Sequence, residues 1–175
     1  LAKHGREVLQ EWLGDYTPLH LSDLPRLFKS GQLPLDAALI QVTPPDEHGM
    51  CSLGVSVDIV KSAAENASLV IAEVNPNMPR TLGNSSLHVY DIDVLVPVNT
   101  PLPELSYAEE SEEARQIAEH IAALVEDGST IEFGIGRIPQ ALMSLLTHKR
   151  DLGIHTEMIT DGIVDLVKSG AVTGA

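Results

Sequence analysis

The chain has 175 residues, 43% of them hydrophobic, and carries 25 acidic against 11 basic side chains for a formal net charge of −14. That length and apolar content can bury a substantial core and suggest one domain, or one domain plus part of another. The acid excess argues against a nucleic-acid or anionic-membrane surface, no run approaches the roughly 20 apolar residues of a membrane span, and the single cysteine, Cys51, excludes an internal disulfide and fits the reducing cytoplasm.

Leu1 to Arg6 do not read as a signal peptide. The chain lacks an initiator Met, opens in a helical pattern and stops at Ala175 just past another, so a segment of a longer polypeptide is expected. Residues 2 to 13 place Val8, Leu9, Trp12 and Leu13 at helical spacing, and Ser22 is positioned to cap a short helix through Phe28 that ends near Gly31. The period then changes. Ala37 to Val42 reads as a buried strand stopped by Pro44-Pro45, and Ser68 to Val74 as a second, stopped by Asn75-Pro76. Between them the sequence predicts a loop, Asp46 to Met50, and a helix around Val57 to Ala67; Asp91 to Val98 is a third strand. Strands separated by helices favour an α/β fold with mainly parallel sheets over a β-sandwich.

Asn99 to Leu105 holds two prolines and marks a boundary between residues 1–105 and 106–175. Ser106 and Glu109 have capping-box spacing for an acidic helix running to about Glu126, with Ile117, Ile121, Leu124 and Val125 as its apolar stripe. Glu109, Glu110, Glu112 and Glu113 crowd its first turn, where the helix dipole favours them, and read as a solvated helix start rather than a metal site. Gly128 is placed to close the helix. Thr130 to Ile135 is a short strand, Gly136 a turn, and Pro139 suits the first turn of a helix carrying Leu142, Leu145 and Leu146.

Strand, glycine turn and helix start together make a site receptive to an anion or oxyanion, because free N–H groups point into the gap and glycine allows close approach. Gly134-Ile135-Gly136 taken alone is more often an ordinary tight turn. A dinucleotide fingerprint would need a glycine where Pro139 stands, which disfavours a Rossmann cofactor. A strand at Ile154 follows, then Glu157. In a parallel β-α-β unit the two strand tips lie along one sheet edge, so the glycine turn and the Glu157 carboxylate are expected to share a crevice. Thr160-Asp161-Gly162 can start the next helix, with Ile163, Val164, Leu166 and Val167 as its buried side, so Glu157 is not needed as a cap. From the residues alone, Glu157 is an exposed surface carboxylate, one pairing with a nearby Lys, or a nucleophile for acyl transfer. The histidines, at 4, 20, 48, 88, 120, 148 and 155, lack close ligand pairing, so no metal site is expected; His48, beside Gly49, is a turn former or a cleft residue.

Four ordered blocks carry a wider resemblance: Pro44 to Gly54, Ala72-Glu73-Val74-Asn75-Pro76-Asn77-Met78-Pro79-Arg80-Thr81, Gly134 to Pro139, and His155-Thr156-Glu157-Met158 through Leu166. Over nearly its whole length the chain resembles the acetyl-CoA hydrolase/transferase family, most of all its 4-hydroxybutyrate CoA-transferases. The resemblance implies a NagB/CoA-transferase-like fold with two related domains. Residues 1–105 would be the later part of the first domain, and 106–175 the linking helix and the start of the second. It also implies that Glu157 is the nucleophile that becomes a glutamyl-CoA thioester, and that Gly134, Ile135, Gly136, Arg137 and Ile138 contact coenzyme A. Arg137 departs from the small or polar residue expected there, which leaves its role open. Coenzyme A and acyl-CoA would be substrates, a small carboxylate the acceptor, and no cofactor would be resident. The alternatives are an acyl-CoA hydrolase using the same Glu, and a non-catalytic α/β binding module. As a segment, the chain is expected to fold at least partly without turnover and to self-associate through an apolar face near Ile159 and Ile163.

Overall fold

The computed structural model describes residues 11, 14, 17–104 and 111–174, so the helix expected over residues 2 to 13 and the capping pair Ser106 and Glu109 lie outside the described residues. The chain divides into two compact units, Leu1–Pro103 and Glu104–Ala175.

In the first unit a short 3-10 turn, Leu21–Asp23, leads into α1 (Leu24–Lys29). That turn absorbs Ser22, so Asp23 takes the N-cap position in its place, and Pro25 occupies the first helical turn, where its missing N–H leaves no bond unmade. Three parallel strands follow, β1 (Ala38–Val42), β3 (Val70–Val74) and β5 (Val94–Pro97), side by side in the order β1-β3-β5. Their register sets Ile40 against Ala72 and Ala72 against Leu95. Ala38, Ile40, Val42, Val70 and Ala72 turn to one side and form a core with Cys51, Leu53, Leu87 and Ile92. Ala37 to Val42 and Ser68 to Val74 read in sequence as buried strands. β1 and β3 are buried on one face only, with Leu39 79% exposed on the other, and β5 is exposed along its whole length.

The third strand is shorter than Asp91 to Val98 suggests. Val89–Asp91 forms a 3-10 turn, and the Asp93 carboxylate accepts the Val70 N–H at 2.8 Å, pinning the entry of β5 to the start of β3. The helix α2 (Val60–Asn66) is likewise shorter than 57–67, because the Asp58 carboxylate takes the Val60 N–H and Ala67 is already extended. A two-stranded antiparallel pair, β2 (Met50–Ser52) with β4 (Ser86–His88), had no counterpart among the expected elements. Three-residue strands are too short to show a period.

Two of the sequence blocks meet at the carboxyl ends of β1 and β3. The Arg80 guanidinium donates to Asp46, to the Met50 carbonyl, to Thr43 Oγ1 and to the Pro44 carbonyl, the last at 2.8 Å. Buried Asn75 donates to the Thr100 carbonyl at 2.8 Å and accepts from the Asn77 N–H, tying the tip of β3 to the chain leaving β5. These motif side chains therefore serve as internal ties. His48 has an exposed side chain, and its backbone N–H is held by Asp46, as is that of Met50. The Met50 N–H, with that of His48 and the Arg80 charge, holds the Asp46 carboxyl below the ordinary carboxylate range. A depressed carboxylate stabilises the fold at neutral pH and loses that contribution as pH falls through its lowered pKa. Acid titration should therefore release the Met50 amide only below the usual Asp range, and Asp46→Asn should remove that step from the amide's NMR titration.

The second unit opens with α3 (Glu112–Leu124), whose N-cap is Ser111, with its hydroxyl accepting from the Ala114 N–H at 3.2 Å. Its buried face is Ala114, Ala118 and Ala122 and not the expected branched stripe: Ile117 and Leu124 are exposed, and only Ile121 and Val125 are partly buried. Alanines at helical spacing let α4 (Arg137–Leu145) pack closely against this face. The helix has ended by Val125, which is extended, so Gly128 does not close it; Gly128 sits with positive φ in the following turn. Strands β6 (Thr130–Ile131) and β7 (Gly153–Ile154) pair in parallel around α4, which makes the expected β-α-β unit, though β6 stops four residues short of Ile135. Last comes α5 (Asp161–Ser169), where Gly162, Ile163 and Leu166 are buried while Val164 and Val167 face out. Ile163 belongs to the core with Phe133, Met143 and Leu166, so the apolar face expected at Ile159 and Ile163 reduces to Ile159, 76% exposed, with Met158. No helix among the described residues is long and apolar enough to cross a membrane.

Candidate functional site

The second unit brings the glycine turn and Glu157 to the same end of the β6–β7 pair. The ladder runs through Gly153 N–H to Ser129 O and His155 N–H to Ile131 O, both at 3.0 Å. Beyond it, the Thr156 hydroxyl donates to the Phe133 carbonyl at 2.8 Å and accepts the Phe133 N–H at 3.3 Å. Phe133 is anchored by its ring, almost wholly buried in the core, and Gly134 follows directly. One side chain thus joins the residue before the glycine turn to the residue before Glu157. In the sequence Thr156 stands out only as a member of the His155-Thr156-Glu157-Met158 block. The available signal was its place two residues past the strand end at Ile154, where a hydroxyl can replace main-chain bonds.

The five turn residues differ in what their backbone requires. Gly136 has φ +130° and ψ −177°, a conformation essentially reserved for glycine, and it is the N-cap of α4. A Cβ at Gly134 would meet nothing within 4 Å, and Gly134 has no positive φ, so no contact among the described residues demands glycine there. Ile135, Gly136, Arg137 and Ile138 line a groove of about 380 Å³ whose opposite wall is Ala114 and Ile117 of α3, with Glu113 at its edge. Gly134 and Glu157 are not in its lining. Arg137, at the first position of α4, makes no hydrogen bond or ion pair among the described residues.

Glu157 itself is exposed, with no hydrogen bond or ion pair among the described residues, which fits a plain surface carboxylate as well as a free nucleophile and leaves only the Lys-paired alternative without a partner there. Its position is set from behind. Thr160 and Gly162 begin α5 against Met143 of α4: the Thr160 hydroxyl lies 3.3 Å from Met143 Sδ, and a Cβ on Gly162 would fall 2.6 Å from the same sulfur and 3.0 Å from Met143 Cβ. Gly162→Val should therefore force α5 away from α4. We expect a loss of about 2–3 kcal/mol, read as a lowered urea midpoint at unchanged slope, because overpacking outweighs the gain in helix propensity. Among the described residues no group of three or more His, Cys, Asp and Glu side chains could hold a metal ion.

A sequence model of the acetyl-CoA hydrolase/transferase N-terminal domain matches residues 1–104. The chain belongs to the acetyl-CoA hydrolase/transferase family. Among curated members, it is 51% identical over 95% of its length to the 4-hydroxybutyrate coenzyme A transferase of Clostridium kluyveri, of which it covers 39%. It is 47% identical over 97% of its length to the succinyl-CoA:acetate/propanoyl-CoA:succinate CoA transferase of Fasciola hepatica, of which it covers 36%. Among solved structures, a 4-hydroxybutyrate CoA-transferase from Porphyromonas gingivalis aligns with TM-score 0.84 at 41% identity, over 89% of this chain and 40% of that one. RipA from Yersinia pestis aligns with TM-score 0.88 at 34% identity, over 96% of this chain and 40% of that one. The chain thus spans about two fifths of the length of these relatives and shares the α/β fold of the two solved structures over that span.

Proposed function

We propose that the protein carrying this chain is a CoA-transferase that moves coenzyme A between an acyl-CoA, such as acetyl-CoA, and a small carboxylic acid, such as 4-hydroxybutyrate, with Glu157 as its nucleophile. The observation that carries this reading is an exposed carboxylate, without a partner among the described residues, one residue past a hydroxyl tie to the strand tip that leads into the Gly136 turn. Relatives named as CoA transferases, at 51% and 47% identity, support the reaction class.

Covalent exchange accounts for the chemistry. The Glu157 carboxylate attacks the thioester carbonyl, giving a mixed anhydride and CoA thiolate; the thiolate then attacks the glutamyl carbonyl, forming a glutamyl-CoA thioester and releasing the first carboxylate. An acceptor carboxylate attacks that thioester, and the displaced thiolate takes the new acyl group, which regenerates Glu157. Backbone donors near Ile135 and Gly136 stabilise the tetrahedral oxyanions, an effect typically worth about 3–4 kcal/mol per donor in acyl-transfer sites. Gly134, Ile135, Gly136, Arg137 and Ile138 contact coenzyme A in this scheme, and no resident cofactor takes part. The same proposal places the protein in the cytoplasm, reads residues 1–105 and 106–175 as parts of two successive CoA-transferase domains, and assigns part of any self-association of the chain to Met158 and Ile159.

Incubating the full-length protein with acyl-CoA, reducing with borohydride and sequencing the peptides by mass spectrometry tests the scheme. Conversion of the Glu157 carboxyl to an alcohol supports it. Conversion at another residue, or none, overturns it, and net acid release without acceptor-dependent exchange would make the enzyme a hydrolase.

A further inference from the structure

The β6–β7 ladder ends in an unusual way. In the parallel register set by Thr130 against Gly153 and Ile131 against Ile154, the rung after His155 N–H to Ile131 O would bring the Phe133 N–H to the His155 carbonyl and the Glu157 N–H to the Phe133 carbonyl. Both main-chain groups of Phe133 are taken by the Thr156 hydroxyl instead, at 2.8 Å and 3.3 Å. One side chain supplies the donor and the acceptor that two residues of backbone would have supplied. The two chains stay joined at Phe133 but need not continue as a sheet, and the Glu157 N–H is left without a hydrogen-bond partner among the described residues. Phe133 is fixed by the core and Thr156 is half-buried, so both ends of the tie are held.

From this geometry we infer that Thr156 is a positioning residue: its hydroxyl closes the β6–β7 ladder one residue early, so that Glu157 leaves the sheet beside the Gly134–Gly136 turn with a fixed main chain and a free side chain. The inference rests on the reading of Glu157 as the nucleophile. The hydroxyl matters in this role and the branched shape does not. Thr156→Val keeps the shape and loses both bonds, while Thr156→Ser keeps both bonds and loses a methyl group.

The test uses the full-length protein with three measurements on wild type and both variants: steady-state exchange, the Glu157 adduct trapped by borohydride, and the urea midpoint. Thr156→Val is expected to lower kcat by about 10- to 100-fold, the scale set by an ångström of misplacement in a reacting group, with KM for acyl-CoA within about 3-fold. Its adduct should form more slowly by the same factor. Thr156→Ser should restore kcat to within about 5-fold of wild type. Wild-type kcat in Thr156→Val, or a loss that Thr156→Ser fails to rescue while the two variants share one urea midpoint, overturns the positioning role alone. Absence of the adduct from wild-type Glu157 overturns the nucleophile reading first, and this inference with it.

Discussion

Glu157→Ala in the full-length protein should lose CoA transfer by about 10⁴-fold or more, the order seen when the nucleophile of an acyl-transfer enzyme is removed, and should trap no CoA. The fold should hardly register the change. Glu157 is exposed and makes no hydrogen bond or ion pair among the described residues, so its removal should shift stability by no more than about 0.5 kcal/mol. That separation makes the variant a clean probe: lost exchange at an unchanged urea midpoint locates the defect in the chemistry. Glu157→Asp is the finer test. The charge stays, but the carboxylate retracts by one carbon–carbon bond, about 1.5 Å, and an ångström of misplacement costs around 100-fold. Near-wild-type exchange by Glu157→Ala would end the covalent scheme.

The second large effect is expected at Gly136. Its φ of +130° and ψ of −177° would put any L side chain into strain of about 1–3 kcal/mol, although the nearest neighbour of an added Cβ is Pro139 Cδ at 4.0 Å. The obstacle is conformation and not space. Gly136→Val should relieve that strain by re-forming the turn, moving the first N–H groups of α4 off the reacting carbonyl. We expect kcat/KM to fall by about 10³-fold, more than the accompanying loss in the urea midpoint accounts for. Gly134→Ala is the control, since it has open space and no positive φ and should leave stability within about 0.5 kcal/mol. Equal free-energy losses in turnover and stability for Gly136→Val would make the turn purely structural.

The β-α-β unit was legible in the sequence because its signals are local: a glycine turn, a proline in the first helical turn and a short apolar strand on either side of an amphipathic helix. Asn75-Pro76 stopped its strand for the same reason, with a side chain that bonds its own turn. The misses share a different cause. Burial of Ala114, Ala118 and Ala122 in place of Ile117 and Leu124 depends on which helix comes to lie alongside, and hydrophobicity ranks the large residues first whatever the partner. The β2–β4 pair is made by residues some 36 positions apart, Cys51 against Leu87, with too few residues in each strand to carry a pattern. At the site, Glu157 and the turn could be nominated from type and spacing. The Thr156 bond to Phe133 spans 23 positions and becomes visible only when the two strands are set in register.

The outer face of the β1-β3-β5 sheet bears on how the chain behaves in solution. Leu39, Val94 and Val96 expose apolar area there, around the Gln41–Glu73 pair, on a chain whose net charge is −14, so two opposing tendencies act between copies: contact removes apolar area from water, and like charge keeps copies apart. The second depends on ionic strength and the first hardly does at these concentrations. Screening shortens the Debye length from about 30 Å at 0.01 M salt to about 10 Å at 0.1 M, less than the width of a domain. Colloidal stability should therefore be greatest in dilute buffer well above the isoelectric point, with light scattering rising on addition of salt, and Leu39→Lys should flatten that rise.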